Sequence, residues 1–187
     1  IHPERRARPL WRRSELVIRA GMAWRNLRQR MQKGTIAEED PVGENYDARR
    51  ARRRNAAIRE ELPDLSEHLK AYSSRISAMV QVARQRNLPI TFITQPVMWA
   101  KDLPAEARKL LWFGWLADGR YMSVEALRAG MDRYNEELTR ACQTLGVPCI
   151  DASPLSGRPE LFYDDCHLNE RGADELAELV SRRLPKP

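Results

Sequence analysis

With 187 residues, 42% of them hydrophobic, the chain has enough apolar material for one compact domain, and it has no run of about 18 uncharged apolar residues that would cross a bilayer. The formal net charge of +6 is concentrated in the first third, in runs such as RRARRR from Arg49 to Arg54, so phosphate-rich partners have to be considered. Cys142, Cys149 and Cys166 match neither paired CxxC zinc spacing nor a disulfide-dense scaffold, and they read as small apolar residues; no metal and no organic cofactor is implied.

The first residue is Ile1 rather than Met and no apolar signal core follows it, so the chain reads as a processed or partial form of a longer protein. Trp11 to Lys33 reads as a basic amphipathic helix, with Leu16, Ala20, Trp24, Leu27 and Met31 at steps of three and four, Ser14 as its cap and Gly34 as its stop. The acidic run AEEDPVGEN is a surface loop. Tyr46 to Glu61 predicts a second helix with an arginine-rich polar face, closed by Pro63.

Asp64 opens a stronger helix, because Glu67 completes a capping box and Leu65, Leu69, Tyr72, Ile76, Met79 and Ala83 form one apolar stripe to about Asn87. The β-branched and aromatic run LPITFITQPV, closed at Pro96, then predicts a buried parallel strand. A Trp-rich segment with Trp99, Trp112 and Trp115 follows, helical over Ala105 to Leu116. Its Trp112 and Trp115 read as buried or interface aromatics, or as an apolar cap over a lipid-like substrate.

The unit repeats with a helix whose inward face is Val124, Leu127, Met131, Tyr134, Leu138, Ala141 and Leu145; it stops at Gly146 before the strand VPCIDAS. A last helix, Glu170 to Leu184, turns Ala173, Leu176, Ala177, Val180 and Leu184 inward. Short strands, each preceded by a long amphipathic helix, give an α/β layered fold with a parallel sheet, rich in helix. Sheets average about five or six strands, so the remaining strands are expected upstream of Ile1. Residues 1–63 form a basic helical insertion or N-terminal segment, and residues 64–187 the C-terminal part of the domain.

In open α/β sheets, functional groups collect beyond the carboxyl ends of the strands. The loop from Ser153 to Gly172 passes over that edge after VPCIDAS and holds Asp164 and His167. A carboxylate three residues before an imidazole can hold one ring nitrogen while the other faces a pocket. That arrangement suits a general base whose imidazolium the carboxylate stabilises. Gln95 and Trp99 follow the first strand at the same edge and read either as substrate-binding residues lining an acyl or leaving-group pocket or as a loop packed by an aromatic.

The succession Phe162, Tyr163, Asp164, His167, Leu168, Asn169 and Gly172 resembles the last motif block of the SGNH (GDSL-type) ester hydrolases. Tyr134-Asn135, Gly146, Ile150-Asp151 and the run PITFITQP are similar to the family's approach to that block, so the resemblance covers about Asp64 to Leu184. It implies an SGNH-like α/β/α fold of which this is the C-terminal portion. It also implies Ser-His-Asp acyl transfer in which Asp164 orients His167 and His167 activates a serine. Asp165 offers a second carboxylate at a spacing that does not match the motif.

The family's Gly-Asp-Ser and Gly-x-Asn-Asp blocks do not occur in these 187 residues, and GENYD, Gly43 to Asp47, has one residue too many and does not follow an apolar strand. No feature marks Ser153 or another serine as nucleophile, so the serine is expected upstream of Ile1. The expected reaction is hydrolysis of a small-molecule, lipid or sugar ester, with activity rising through neutral pH as the imidazole base is freed. The alternatives are a basic module binding nucleic acid or an anionic membrane surface, and a catalytically inactive relative of the family. Nucleic acid is the disfavoured partner, since no motif for it is recognisable. The compartment stays open, extracytoplasmic or membrane-associated if an upstream signal or anchor exists.

Overall fold

The computed structural model describes residues 44–184; among them are five α-helices, two single-turn 3-10 segments and four two-residue strands. The described residues belong to one compact unit. The expected helix from Trp11 to Lys33 lies outside them.

Helix α1, Glu44–Asn55, ends short of Glu61 because Ile58–Arg59 forms a strand, β1, paired in parallel with β3, Tyr121–Met122. The Tyr121 N–H donates to Ala57 O (3.0 Å) and the Ser123 N–H to Arg59 O (2.9 Å). A partner so distant in sequence leaves no trace in local periodicity, and the arginine pattern misplaced the boundary for that reason.

The arginines of α1 are not all a solvated face. Arg53 is buried, its guanidinium donating to the carbonyls of Phe113 and Met122 and lying 5.5 Å from the Tyr121 ring centroid. Arg50 donates to Leu110 O (3.2 Å) and pairs with Asp47. A buried guanidinium needs acceptors for its donors, and these backbone carbonyls tie α1 to the segment between Leu110 and Met122. Arg52 and Arg54 remain exposed.

Helix α2, Ser66–Gln85, begins two residues after Asp64, whose Oδ1 accepts from the Ser66 N–H (3.0 Å) and hydroxyl (2.6 Å) instead of closing a capping box with Glu67. Its buried residues are Ile76, Val80 and Ala83, whereas Met79 is 47% exposed. The inward stripe is therefore turned slightly from the expected one, toward helix α4, Val124–Leu145. Between α2 and α4 lies a core of Ile76, Leu138, Ala141 and Cys142, flanked by Tyr72 and Phe92, with the Tyr72 and Tyr134 rings edge to face at 5.1 Å. Ser123 caps α4 through the Ala126 N–H (3.0 Å), and Gly146, at φ 62°, ends it in the left-handed conformation that glycine adopts without strain.

Strands β2, Phe92–Ile93, and β4, Cys149–Ile150, pair in parallel and sit within the two segments expected to be strands. They are shorter than expected. The described residues thus have α/β character, rich in helix, with parallel pairing confined to two separate strand pairs.

The segment Ala105–Leu116 is helical only over α3, Ala105–Arg108. After Arg108 the N–H groups of Lys109, Leu110 and Leu111 bond three residues back in turns, and beyond Leu111 those of Trp112 and Phe113 donate to the Asp165 carboxylate. A second core lies here, built from Val97, Met98, Trp99, Leu111, Leu127 and Phe162 among others.

Helix α5, Glu170–Arg183, is capped by Asn169, whose side chain accepts from the Gly172 N–H (2.9 Å). Leu176, Leu179 and Val180 are half-buried, while Ala173, Ala177 and Leu184 are exposed, so the inward stripe is narrower than expected. A β-carbon at Gly172 would lie 2.2 Å from Leu161 O. Gly172→Ala is therefore expected to destabilise the fold by about 1–3 kcal/mol, read as a lower urea midpoint at unchanged slope. No helix among the described residues is long and apolar enough to cross a membrane.

Candidate functional site

After β4 the chain makes two 3-10 turns, Ser153–Leu155 and Pro159–Leu161, and then a narrow loop. Phe162 and Leu168 bridge antiparallel, the Tyr163 N–H donates to His167 O (2.8 Å) and the Asn169 N–H to Leu161 O (2.9 Å). These bonds pin both ends of the segment between Tyr163 and His167. The Asp164 side chain folds back over that segment, accepting the N–H groups of Cys166 (3.1 Å) and His167 (3.0 Å). The Asp-x-x-His spacing places the carboxylate against the imidazole because the turn closes on those two backbone donors.

His167 Nδ1 lies 2.9 Å from each oxygen of Asp164. That contact makes Nδ1 the protonated nitrogen and leaves Nε2 as the acceptor. The Asp164 side chain is 6% exposed and that of His167 57%, a buried carboxylate carrying a solvent-facing base. A further donor reaches Asp164 from outside the loop, the Trp112 indole Nε1–H at 2.9 Å from Oδ2. Burial by itself would raise the Asp164 pKa, but the hydrogen bonds from Trp112, His167 and the two backbone amides outweigh it and hold the carboxyl below its ordinary value.

Asp165, the neighbouring carboxylate, is fully buried and serves a different set of donors. Its Oδ1 accepts the Trp99 indole N–H (2.7 Å) and its Oδ2 accepts the N–H groups of Trp112 (2.8 Å) and Phe113 (3.2 Å). Burial pushes its carboxyl above the ordinary value, opposed by those donors and by the charge of Arg53. The adjacent acids thus divide the work: Asp164 holds the imidazole, and Asp165 holds the aromatic segment.

Of the two substrate-binding candidates, Gln95 is exposed and its amide nitrogen lies 3.5 Å from Cys166 O, beside the Asp164–His167 loop. The Asn135 side chain clamps it there, accepting from the Gln95 N–H and donating to Gln95 O, both at 2.9 Å. Trp99 lies in the core: it is 2% exposed, its ring stacks against Phe113 at 5.8 Å and its indole N–H donates to Asp165. Trp112 is half-buried and Trp115 is 58% exposed, so the two tryptophans do not share one environment.

The ligand atoms of Asp164, Cys166 and His167 lie within 4.8 Å of one another, close enough to share a small cation. The chemistry of the donors works against this. Burial, with Asp164 and Asp165 nearby, pushes the Cys166 thiol up to about 11, and metal ligation requires the thiolate. The same shift leaves Cys166 a poor nucleophile.

Ser153 donates its hydroxyl to Asp151 (2.9 Å), and the Ser156 hydroxyl accepts the Val97 N–H (3.2 Å); among the described residues no serine is hydrogen-bonded to His167. The Asp47 of GENYD pairs with Arg50 within α1. A groove of about 490 Å³ between α2 and α4 is lined by Ser66, Lys70, Ser73, Ser77, Glu137 and Arg140, and none of its lining residues belongs to the Asp164–His167 loop.

Trp112, Asn135 and Arg53 complete the site without having been picked out as site residues by sequence. A tryptophan 52 residues before an Asp-x-x-His block carries no signal of an indole–carboxylate bond, and only the folded path of the segment after α3 reveals it. No family model and no curated protein matches the chain.

Proposed function

We propose that the chain supplies the acid-base half of a Ser-His-Asp ester hydrolase of the SGNH type, with the nucleophilic serine upstream of Ile1. The observation that carries this reading is the buried, four-donor Asp164 carboxylate 2.9 Å from Nδ1 of an exposed His167. Supporting it are the order of Phe162, Tyr163, Asp164, His167, Leu168, Asn169 and Gly172, and the α/β setting with parallel strands ending beside the loop.

In the proposed mechanism His167 Nε2 takes the proton of the serine hydroxyl as its oxygen adds to the ester carbonyl. The imidazolium then delivers that proton to the departing alcohol, and an acyl-enzyme remains. His167 next deprotonates water for attack on the acyl group and returns the proton to the serine as the acid leaves. Throughout, Asp164 stays ionised and stabilises the imidazolium through Nδ1–H. Gln95, held beside the loop by Asn135, is placed to meet the polar part of a bound ester. Small lipid and sugar esters are the proposed substrates.

The test is to express the protein together with the sequence encoded upstream of Ile1, label it with a fluorophosphonate and locate the adduct. A single labelled serine outside residues 1–187, with hydrolysis of p-nitrophenyl acetate lost on labelling, is expected. Neither labelling nor hydrolysis would overturn the proposal.

A further inference from the structure

We propose that Trp112 is a positioning residue for the Asp164–His167 pair, its indole N–H fixing the carboxylate oxygen and its own place fixed by Asp165. The inference rests on the Ser-His-Asp reading for its catalytic meaning, but its geometry is independent of any substrate.

Asp164 has two oxygens and must hold them at one orientation if Nδ1–H is to be met squarely. The backbone N–H groups of Cys166 and His167 both bind Oδ1, at 3.1 and 3.0 Å. Those donors belong to the same turn as the carboxylate and leave Oδ2 without a bond from that turn's backbone. The Trp112 indole reaches Oδ2 at 2.9 Å from a segment more than fifty residues earlier in the chain. It is the group that stops the carboxylate plane from rotating about its Cβ–Cγ bond, and a carboxylate in a low-dielectric site gains most from a donor already in place.

The tryptophan is itself placed by several contacts. Its backbone N–H is bound by Asp165 at 2.8 Å, with Phe113 beside it at 3.2 Å. Its ring packs edge to face on Tyr46 at 5.2 Å and on Phe113 at 5.7 Å. The Arg49 guanidinium lies 5.1 Å from its ring centroid, and a cation on the indole face makes the N–H a stronger donor. Arg53, bonded to the carbonyl of Phe113, holds the far side of the same segment. One continuous set of contacts therefore runs from α1 through Trp112 to the imidazole, which gives the paired acids and the tryptophan segment a common purpose.

The experiment is Trp112→Phe in the full chain, with Trp115→Phe as control and the carboxyl carbon of Asp164 followed by NMR against pH. Phenylalanine keeps a six-membered ring and the backbone bond to Asp165 and removes the N–H together with the five-membered ring that carries it. The Asp164 titration is expected to move to higher pH in Trp112→Phe and to stay in place in Trp115→Phe. In the unaltered protein the Trp112 indole proton is expected to move through the same titration, and this measurement decides the matter if the variant does not fold. An Asp164 titration unchanged by Trp112→Phe, or an indole proton that ignores it, would overturn the inference. In a hydrolytically active form, Trp112→Phe is expected to lower kcat about tenfold at unchanged KM, and an unchanged kcat would equally overturn it. Absence of ester hydrolysis in the unaltered protein would sink the hydrolase reading alone, because the NMR titration needs no substrate.

Discussion

His167→Ala is expected to lower the proposed ester hydrolysis, in the protein joined to its upstream sequence, by about a hundred- to ten-thousand-fold in kcat/KM with little change in stability. The rate loss is the contribution of a positioned general base. The stability expectation follows from exposure, since the imidazole is 57% exposed and its removal uncovers little apolar surface. Asp164 keeps its other donors from Trp112 and from the backbone of Cys166 and residue 167. Rate measurements on p-nitrophenyl acetate and a urea melt of the same preparation check both halves. The same variant separates the rival reading of a basic binding module. That reading predicts salt-sensitive affinity for DNA or anionic vesicles that His167→Ala leaves intact. Arg50 and Arg53 are committed to backbone carbonyls, so on α1 such binding would rest on residues such as the exposed Arg52 and Arg54.

Asp165→Asn has the opposite profile, a large effect on stability at a residue that does not touch the imidazole. The carboxylate accepts from Trp99, Trp112 and Phe113 in full burial. An amide offers one oxygen and turns its own N–H groups toward donors. At least one buried N–H is left unsatisfied and Arg53 loses the favourable influence of the Asp165 charge, for a cost of about 3 kcal/mol. The pH dependence identifies the cause. Burial raises the Asp165 pKa, so between its unfolded and folded values the unfolded chain releases the proton first and stability falls as pH rises. Asp164 acts with the other sign: its folded pKa is lowered, so its contribution is present above the unfolded value and is lost as pH falls through the folded one. Urea melts across the acidic range should therefore show the falling limb removed in Asp165→Asn and the acid loss retained. If Asp165→Asn matches the unaltered protein at every pH, the buried carboxylate does not hold the aromatic segment.

Several local features were legible in the order of residues alone. Helix α4 could be read from its apolar period and its Gly146 stop, because both act within a turn or two of the backbone. The Asp164–His167 contact was legible for the same reason, since the carboxylate, the two amides it accepts and the imidazole lie within four residues. Gly172 is explained by its neighbours in the loop, where Leu161 O leaves no room for a side chain.

What lay beyond reach depended on partners far apart in sequence. Strand β1 exists because Tyr121–Met122 pairs with it, and the Asp165 carboxylate takes the N–H groups of Trp112 and Phe113 beyond the turns that follow α3. Trp99, read as a pocket residue or a packing aromatic at a strand edge, is a core residue committed to Asp165, while Trp112, read only as a packing or capping aromatic, carries the donor that reaches Asp164. By itself, then, the sequence determined the Gly146 stop and the juxtaposition of Asp164 with His167, both set by short-range geometry, together with the α/β character. Only the tertiary structure decided that Asp165 serves the aromatic segment and that Trp112 reaches Asp164, because a buried acid takes its role from donors that the folded chain brings to it.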